Sequence, residues 1–272
     1  MQSGIKKILL KSSSLKDFIE RIKSLEESVK KSQSLQTKQS ERIKSLEESV
    51  RLFTDDHKFD EFYKNFEDKF RGTEEDIKSR VKVYLPYFKN SAVNFNNYGV
   101  LDLGSGRGEF IDLMTSNHIN ITGIDNNQEM VQRSLNKGLN AINANVLDFI
   151  KTIKPKSLGS ITGFHIVEHI PFIHLYKLLL NCYGSLVNGG FVIFETPNPE
   201  NLTVGGCNFY IDPSHLKPIP PALMEYILES IGFKNIEIKR LHPINSSKND
   251  NSNKYISDYL LSSQDYSVIG YK

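Results

Sequence analysis

The stretch YGVLDLGSGRGEF, residues 98–110, decides the fold. Its apolar run, Val100–Leu103, stops at three alternating glycines, Gly104, Gly106 and Gly108. Phe110, Ile111, Leu113 and Met114 then follow at helix-compatible spacing. The order predicted is strand, tight turn, helix. Glycine at such a turn lets backbone bend sharply and approach a ligand with no Cβ between. A second apolar run, residues 121–124, ends in Asp125. A carboxylate at that strand tip is placed to bind the two hydroxyls of a ribose. The pattern therefore predicts a nucleoside site.

Outward from this turn, strand candidates recur at 140–144, 160–164 and 190–194, separated by helical patterns. Such alternation implies a parallel sheet with helices on both faces. A helix over 223–231 stops at Gly232, and strands at 236–241 and 266–270 close the pattern as an antiparallel edge. The fold class predicted for residues 99–272 is α/β, a doubly wound, Rossmann-like, mostly parallel seven-stranded sheet. The polar run SSKNDNSNK, 246–254, has no period and reads as a mobile loop.

With 272 residues, the chain has room for one such domain and an accessory segment. Net charge is +2, which excludes a strong nucleic-acid signal from the whole chain. Residues 1–54 hold 12 Lys/Arg and 7 Asp/Glu; the remainder holds 22 and 25. This basic arm reads as a solvated helix face, with peripheral contact to an anionic membrane surface as the sharper alternative. Cys182 and Cys207 have no metal-type spacing, and no disulfide framework is implied. The first residues, MQSGIKKILLKSSS, hold too short an apolar run for a signal peptide or a span. The location expected is cytoplasmic, or the inner face of the cell membrane.

The arm, residues 1–56, contains RIKSLEESV at 21–29 and again at 42–50, three heptads apart. With Ile22 at position a, Leu15, Val29, Ile43 and Val50 also fall on a, and Phe18, Leu25, Leu46 and Phe53 on d. This is a coiled-coil seam, interrupted by Ser32, Gln36 and Gln39. It predicts a homo-oligomer. The segment 5–10, flanked by lysines, is a candidate foot on a membrane surface.

The connector, residues 57–98, places Phe59, Phe62, Tyr63, Phe66 and Phe70 at helical spacing. Gly72 fits a helix stop, and Thr73 fits an N-cap answered by Asp76. The new helix is expected to run through Ile77, Val81 and Leu85 to Pro86. Arg80 lies on it, placed to pair with a ligand carboxylate or to make a surface ion pair.

In doubly wound sheets, ligands bind beyond the carboxyl ends of the strands. The tips expected are Gly104–Gly108, Asp125-Asn126-Asn127, Asn143-Ala144-Asn145-Val146, the run from Phe164 through His165, Glu168 and His169, and the run 195–200. A dinucleotide site wants Gly-x-Gly-x-x-Gly for a pyrophosphate. This chain has Gly-x-Gly-x-Gly with Asp102 ahead of it, and resembles motif I of class I S-adenosylmethionine-dependent methyltransferases. That resemblance implies S-adenosylmethionine as cofactor.

His165-x-x-Glu168-His169 matches the letters of a zinc-peptidase signature, which needs a helix to bring both histidines to one face. Here it follows a strand and meets Pro171, so that reading is rejected. The same run resembles the metal-holding E-x-x-E-H of some class I methyltransferases. The small-RNA 2′-O-methyltransferases among them add a distant histidine, as His215 would here. A divalent-metal site of His165, Glu168, His169 and His215 is one reading of that resemblance; His165 in place of the first glutamate weakens it, and no metal is assigned. Without metal, methyl transfer to oxygen needs alignment and a base. His169 and His215 are the candidate bases, with Glu168 orienting them or sharing the proton.

A long, proline-punctuated loop, 195–221, follows the fifth strand and carries Asn198, Asn201, Tyr210, Asp212 and His215. Long ordered loops are usually functional. Polar and aromatic groups together suit a sugar. This loop, with FEDKFRGTEEDIKSRVKVYLPY, GFHIVEHIPF and QDYSVIGYK, resembles the bacterial polysaccharide chain-terminating methyltransferases over roughly residues 62–272. Those enzymes cap O-antigen chains in lipopolysaccharide synthesis. The resemblance implies methyl transfer from S-adenosylmethionine to a terminal sugar, with the glycan chain end as substrate and a glycosyltransferase as candidate partner. No kinase domain accompanies the chain, which favours a sugar hydroxyl over a phosphate. In the best-known relatives the coiled coil follows the catalytic domains; here it precedes, which weakens a chain-measuring role. Carried over by position, Gly104, Asp125, Asn145 and Arg80 become cofactor contacts, joined by Tyr63, Asn126 and Val146, with His165 at the methyl-transfer end. The alternatives are a small-molecule, quinone-type O-methyltransferase and a non-enzymatic coiled-coil scaffold of a glycan-assembly complex.

Overall fold

The computed structural model describes residues 13–54, 66, 69–243 and 259–272. The expected foot at 5–10, Tyr63 and the polar run 246–254 lie outside them. The chain divides into two compact units, Met1–Glu67 and Asp68–Lys272.

The first unit is dominated by α1, Ser13–Thr54, a helix of 42 residues. No proline or glycine interrupts it. Hydroxyls inside it are spent on its own backbone: Ser28 Oγ donates to Ser24 O, and Thr37 Oγ1 to Gln33 O. Its seam is bare. Phe18 is 61% exposed, Leu25 60% and Val29 54%. Leaving such side chains in water forgoes about 1.5–3 kcal/mol each.

The second unit is the predicted sheet. Its strands are β1 Val100–Leu103, β2 Ile121–Asp125, β3 Ala141–Asn143, β4 Leu158–Phe164, β5 Leu186–Pro197, β6 Lys234–Pro243 and β7 Ser263–Tyr271, in the order β3-β2-β1-β4-β5-β7-β6. β1 to β5 pair in parallel, and β7 runs antiparallel between β5 and β6. β5 starts earlier than the sequence suggests, at Leu186, and its bulge against β4 falls between Leu158 and Ser160. The helices are α2 Glu74–Val81, α3 Leu85–Lys89, α4 Glu109–Ser116, α5 Gln128–Asn136, α6 Val146–Thr152, α7 Phe172–Ser185, α8 Leu202–Gly206 and α9 Pro221–Ile231.

One face of the sheet packs Leu103, Ile124, Ile161, Val192 and Phe194 against Leu178, Leu179, Met224 and Leu228 of α7 and α9. The other packs Val100, Phe191 and Ile193 with Ile111 and Met114 of α4. The second half of the connector enters this face. Phe88 of α3 meets Phe191 edge-on at 5.1 Å, and Tyr84 meets Phe164 at 5.3 Å. α2 begins with the expected capping box: Asp76 N donates to Thr73 Oγ1, and Thr73 N to Asp76 Oδ2. The helix stops sooner than expected. It yields to a 3-10 turn over Lys82–Tyr84, and Pro86 sits in the first turn of α3 rather than at a helix end. Proline is tolerated there because its missing N–H has no helical partner to lose.

Candidate active site

The turn after β1 is built as its glycines imply. Gly104, Gly106 and Gly108 take φ of +67°, +51° and +85°, a region costly for residues with a Cβ. A Cβ on Gly104 would stand 2.8 Å from Ile166 Cδ1, and one on Gly108 2.6 Å from Ser134 Oγ. Gly104 N and Ser105 N both donate to Ile124 O, tying the turn to β2. Asp125 completes the tie. Its Oδ2 accepts from Gly106 N at 2.8 Å and its Oδ1 from Asn127 N at 2.8 Å. Burial raises its pKa, and those backbone donors oppose the rise.

Asp102 lies beneath the turn, only 2% exposed, and its Oδ1 accepts from Thr162 Oγ1 at 2.7 Å. Burial pushes its pKa up to about 7 against the Thr162 bond. Asp102, named with the glycine turn as part of the cofactor motif, is thus held inside the protein by Thr162. Asn126 is exposed at the β2 tip. Asn145 caps α6 through Leu147 N, and Val146 opens that helix half-buried.

Arg80 is exposed on α2, and its charge bears on Asp76 one turn earlier. It is Arg71 that reaches the strand tips. Arg71 donates to Phe164 O at 3.2 Å, and its charge opposes the burial-driven rise in pKa of both Asp102 and Asp125. The adjoining backbone is pinned to the turn: Arg107 donates to Gly72 O, and Lys137 donates to both Glu74 and Arg107 O. In the sequence, Arg71 is only the residue before the helix stop; its reach depends on the left-handed turn at Gly72, φ +95°.

The tips of β4 and β5 hold a continuous set of acids and imidazoles. His165 follows β4 at φ +56°, and its N–H donates to Glu195 O. Its Nδ1 is 3.3 Å from Glu168 Oε1, and its Nε2 is 3.6 Å from Glu195 Oε1 and 3.8 Å from Asp265 Oδ1. Burial works against charge on this ring, but Glu168, Glu195 and Asp265 outweigh it and raise its pKa to about 10. Burial works against charge on Glu168 as well; His165 and the nearby imidazoles prevail and hold it at about 2. Glu168 Oε2 accepts from Thr196 Oγ1, while buried Oε1 has no hydrogen bond of good geometry.

Glu168 and His169 lie on a 3-10 turn, Val167–His169, not on an α-helix. Two histidines meet there. The His169 and His215 rings stand 4.6 Å apart, edge to face. His215 Nδ1 lies 2.6 Å from Phe209 O. A carbonyl only accepts, so Nδ1 carries the proton and Nε2 keeps a lone pair. Ser214 Oγ donates to Asp212 Oδ1 and so can only accept from His169 Nδ1, at 2.9 Å. His169 Nε2 is left as its basic atom. Burial, then the neighbouring His215, lowers the His169 pKa, with Glu168 opposing, and the ring is neutral at neutral pH. The expected trio of Glu168, His169 and His215 is therefore brought together, with ligand-type atoms within 4.8 Å of one another.

Two residues expected to face a sugar do not. Asn198 and Asn201 are fully buried. Asn198 donates to Ser263 O and accepts from Glu200 N; Asn201 donates to Ser262 O and caps α8 at Thr203 N and Val204 N. They fasten the long loop to β7. Tyr210 remains, 62% exposed, its ring 5.4 Å from Phe209, which stacks 4.5 Å from His215.

The sequence pattern of one family, described as a methyltransferase domain, matches residues 70–238. No curated protein matches the chain. Among solved structures, a SAM-dependent methyltransferase from Archaeoglobus fulgidus is 33% identical, with 78% of this chain and 100% of that chain covered and a TM-score of 0.67. Phosphoethanolamine N-methyltransferase 2 of Haemonchus contortus, in complex with S-adenosyl-L-methionine, is 16% identical, with 76% and 59% covered and a TM-score of 0.54. A methyltransferase from Thermotoga maritima is 13% identical, with 79% and 99% covered and a TM-score of 0.55. At such identities, the last two show the fold alone.

Proposed function

The chain belongs to the S-adenosylmethionine-dependent methyltransferases, and from that premise we propose that it methylates a hydroxyl on the terminal sugar of a cell-surface polysaccharide. The cofactor fits the residues present. Asp125 offers carboxylate oxygens at the β2 tip for a ribose diol. Arg71 offers a cation at the β4 tip for the methionine carboxylate. Ile142, 39% exposed at β3, offers an apolar face for adenine. When bound, the cofactor supplies an electrophilic methyl group on sulfur.

The chain's own residues supply the rest. His215 Nε2, its tautomer set by Phe209 O, accepts the proton of the acceptor hydroxyl. Glu168 Oε1, 3.9 Å from that nitrogen, and Asp212 Oδ2, at 3.8 Å, stabilise the imidazolium formed. His169 can take the same proton, as its ring is neutral and its Nδ1 is held by Ser214. A positioned base of this kind contributes about 10²–10⁴-fold to rate.

The observation that carries the sugar reading is Tyr210, an exposed ring joined to the base through one intervening ring, Phe209, on a long, pinned loop. Such a ring can cover the apolar face of a pyranose. The loop's likeness to chain-terminating methyltransferases supports it. A second reading, a small quinone-like acceptor, is favoured by the exposed Leu202, Ile211 and Leu216 on and beside the same loop. Incubation with tritiated-methyl cofactor and a panel of oligosaccharides ending in mannose, rhamnose or other sugars separates them. Label should enter an oligosaccharide. Label entering only hydroquinones or catechols overturns the sugar reading.

We further propose that α1 joins copies of the chain in a parallel, in-register coil. The heptad places Arg21 and Arg42 on g, and Glu26 and Glu47 on the e positions five residues later. Those are the positions that pair across parallel strands. A glycosyltransferase partner and a peripheral seat at the inner membrane face remain proposals. Among the described residues, no helix is long and apolar enough to cross a membrane.

A further inference from the structure

We propose that His165, Glu195 and Asp265 form a divalent-cation site at the tips of β4, β5 and β7. Three ligand-type atoms converge: His165 Nε2, Glu195 Oε1 and Asp265 Oδ1. The nitrogen stands 3.6 and 3.8 Å from the two oxygens. Those are the separations of three ligands spread around one ion at about 2.0–2.2 Å.

The surroundings have the anatomy of a metal centre. Ligating groups are usually held by hydrogen bonds from outside the first sphere. Glu195 and Asp265 are held so, each through its second oxygen, and His165 is held by an ion pair at its second nitrogen. Glu195 Oε2 accepts from Tyr84 O–H, and Asp265 Oδ2 lies 2.9 Å from His242 Nδ1. His165 Nδ1 lies 3.3 Å from Glu168 Oε1, a buried oxygen with no hydrogen-bond partner. A carboxylate behind an imidazole fixes its tautomer and makes its far nitrogen a better ligand. Glu168, Glu195 and Asp265 are each under a tenth exposed. Among the described residues their only ion-pair partners are imidazoles. Buried carboxylates gathered without Lys or Arg are compensated by protons or by metal. The His165 side chain is 29% exposed, which leaves a way in from solvent.

One imidazole and two carboxylates form a nitrogen–oxygen set suited to Mn²⁺ or Zn²⁺. With three protein ligands, open positions remain for the acceptor. The ion would hold two adjacent oxygens of a vicinal diol, within reach of the bases at His169 and His215. That role rests on the O-methyl reading above; the binding itself does not.

The test uses the full chain, stripped with EDTA and titrated with Mn²⁺, free ion being read by electron paramagnetic resonance. About one Mn²⁺ per chain should bind. Asp265→Asn and His165→Gln should each raise its Kd about 10-fold or more, and Tyr84→Phe should raise it less. His169→Gln should leave it within about twofold. Far-UV circular dichroism and cofactor binding verify that each variant is folded. Absence of binding by the wild type overturns the proposal, as does a Kd unmoved in folded Asp265→Asn. Loss of binding in His169→Gln with retention in Asp265→Asn also overturns it, by placing the ion between Glu168, His169 and His215. Mn²⁺ binding without methyl transfer to any sugar would remove the sugar reading and leave the site standing. Undiminished sugar methylation in the stripped chain, with no Mn²⁺ bound, would remove the site alone.

Discussion

Replacing Asp125 with alanine separates ligand binding from stability. In the free protein, the Asp125 carboxylate accepts from Gly106 N and Asn127 N, both at 2.8 Å. Gly106 is buried, so its N–H loses its partner; Asn127 is only half-buried, so water can replace the acid there. A buried donor left unpaired costs about 1–3 kcal/mol. Burial of the carboxylate is itself unfavourable, as its raised pKa shows, and removing it returns part of that cost. The net loss of stability should be small, about 0–2 kcal/mol. Binding should suffer more, because the ribose loses its acceptors entirely. A loss of about 1–3 kcal/mol corresponds to a Kd raised roughly 5- to 150-fold. Titration calorimetry with S-adenosylmethionine reads the affinity, and thermal unfolding without ligand reads the stability. A Kd within twofold of wild type would refute the placement of the ribose at the β2 tip.

His215→Gln should lower kcat by about 10²-fold or more and leave cofactor affinity unchanged, checked by single-turnover methyl transfer beside calorimetry; full turnover would exclude it as the base. Asp102→Asn keeps the acceptor for Thr162 and removes the acid whose pKa burial raises from 3.8 to about 7. An acid with a raised native pKa holds its proton more tightly when folded, so wild-type stability falls as pH rises through that window. The variant should lack that fall. Each pH unit across the window contributes about 1.4 kcal/mol, so denaturant unfolding at its two ends should differ between the proteins by a few kcal/mol. Leu25→Cys should form a disulfide-linked dimer through the same d layer if the coil is parallel, and deletion of residues 1–54 should lower the mass seen by light scattering. A monomer before and after that deletion would dismiss the coil.

The parallel sheet was legible because each βα unit announces itself twice, by an apolar run and by the turn that ends it. Gly104, Gly108, Asp125 and Gly232 are local signals with local causes. So is the capping box at Thr73. The acceptor side was harder to read. His165, Glu195 and Asp265 come from three strand tips far apart in sequence, and only the pairing of β5 with β7 brings Asp265 beside the other two. Helical spacing points to Arg80 and passes over Arg71, yet the left-handed Gly72 turns Arg71 toward the strand tips and the helix leaves Arg80 in solvent. Asn198 and Asn201 look like ligands when read only as polar residues on a loop. Their side chains are the means by which an irregular loop satisfies buried backbone, a need that no pattern in the sequence displays.

The central claim is that the methyl group ends on the terminal sugar of a glycan chain. Tandem mass spectrometry of an oligosaccharide treated with the full-length protein and S-adenosylmethionine tests it most directly. The account predicts one added methyl per chain, as an ether on the non-reducing terminal residue, and none on internal residues. Methyl groups on internal residues, or an unmodified glycan beside a methylated small-molecule phenol, would contradict it.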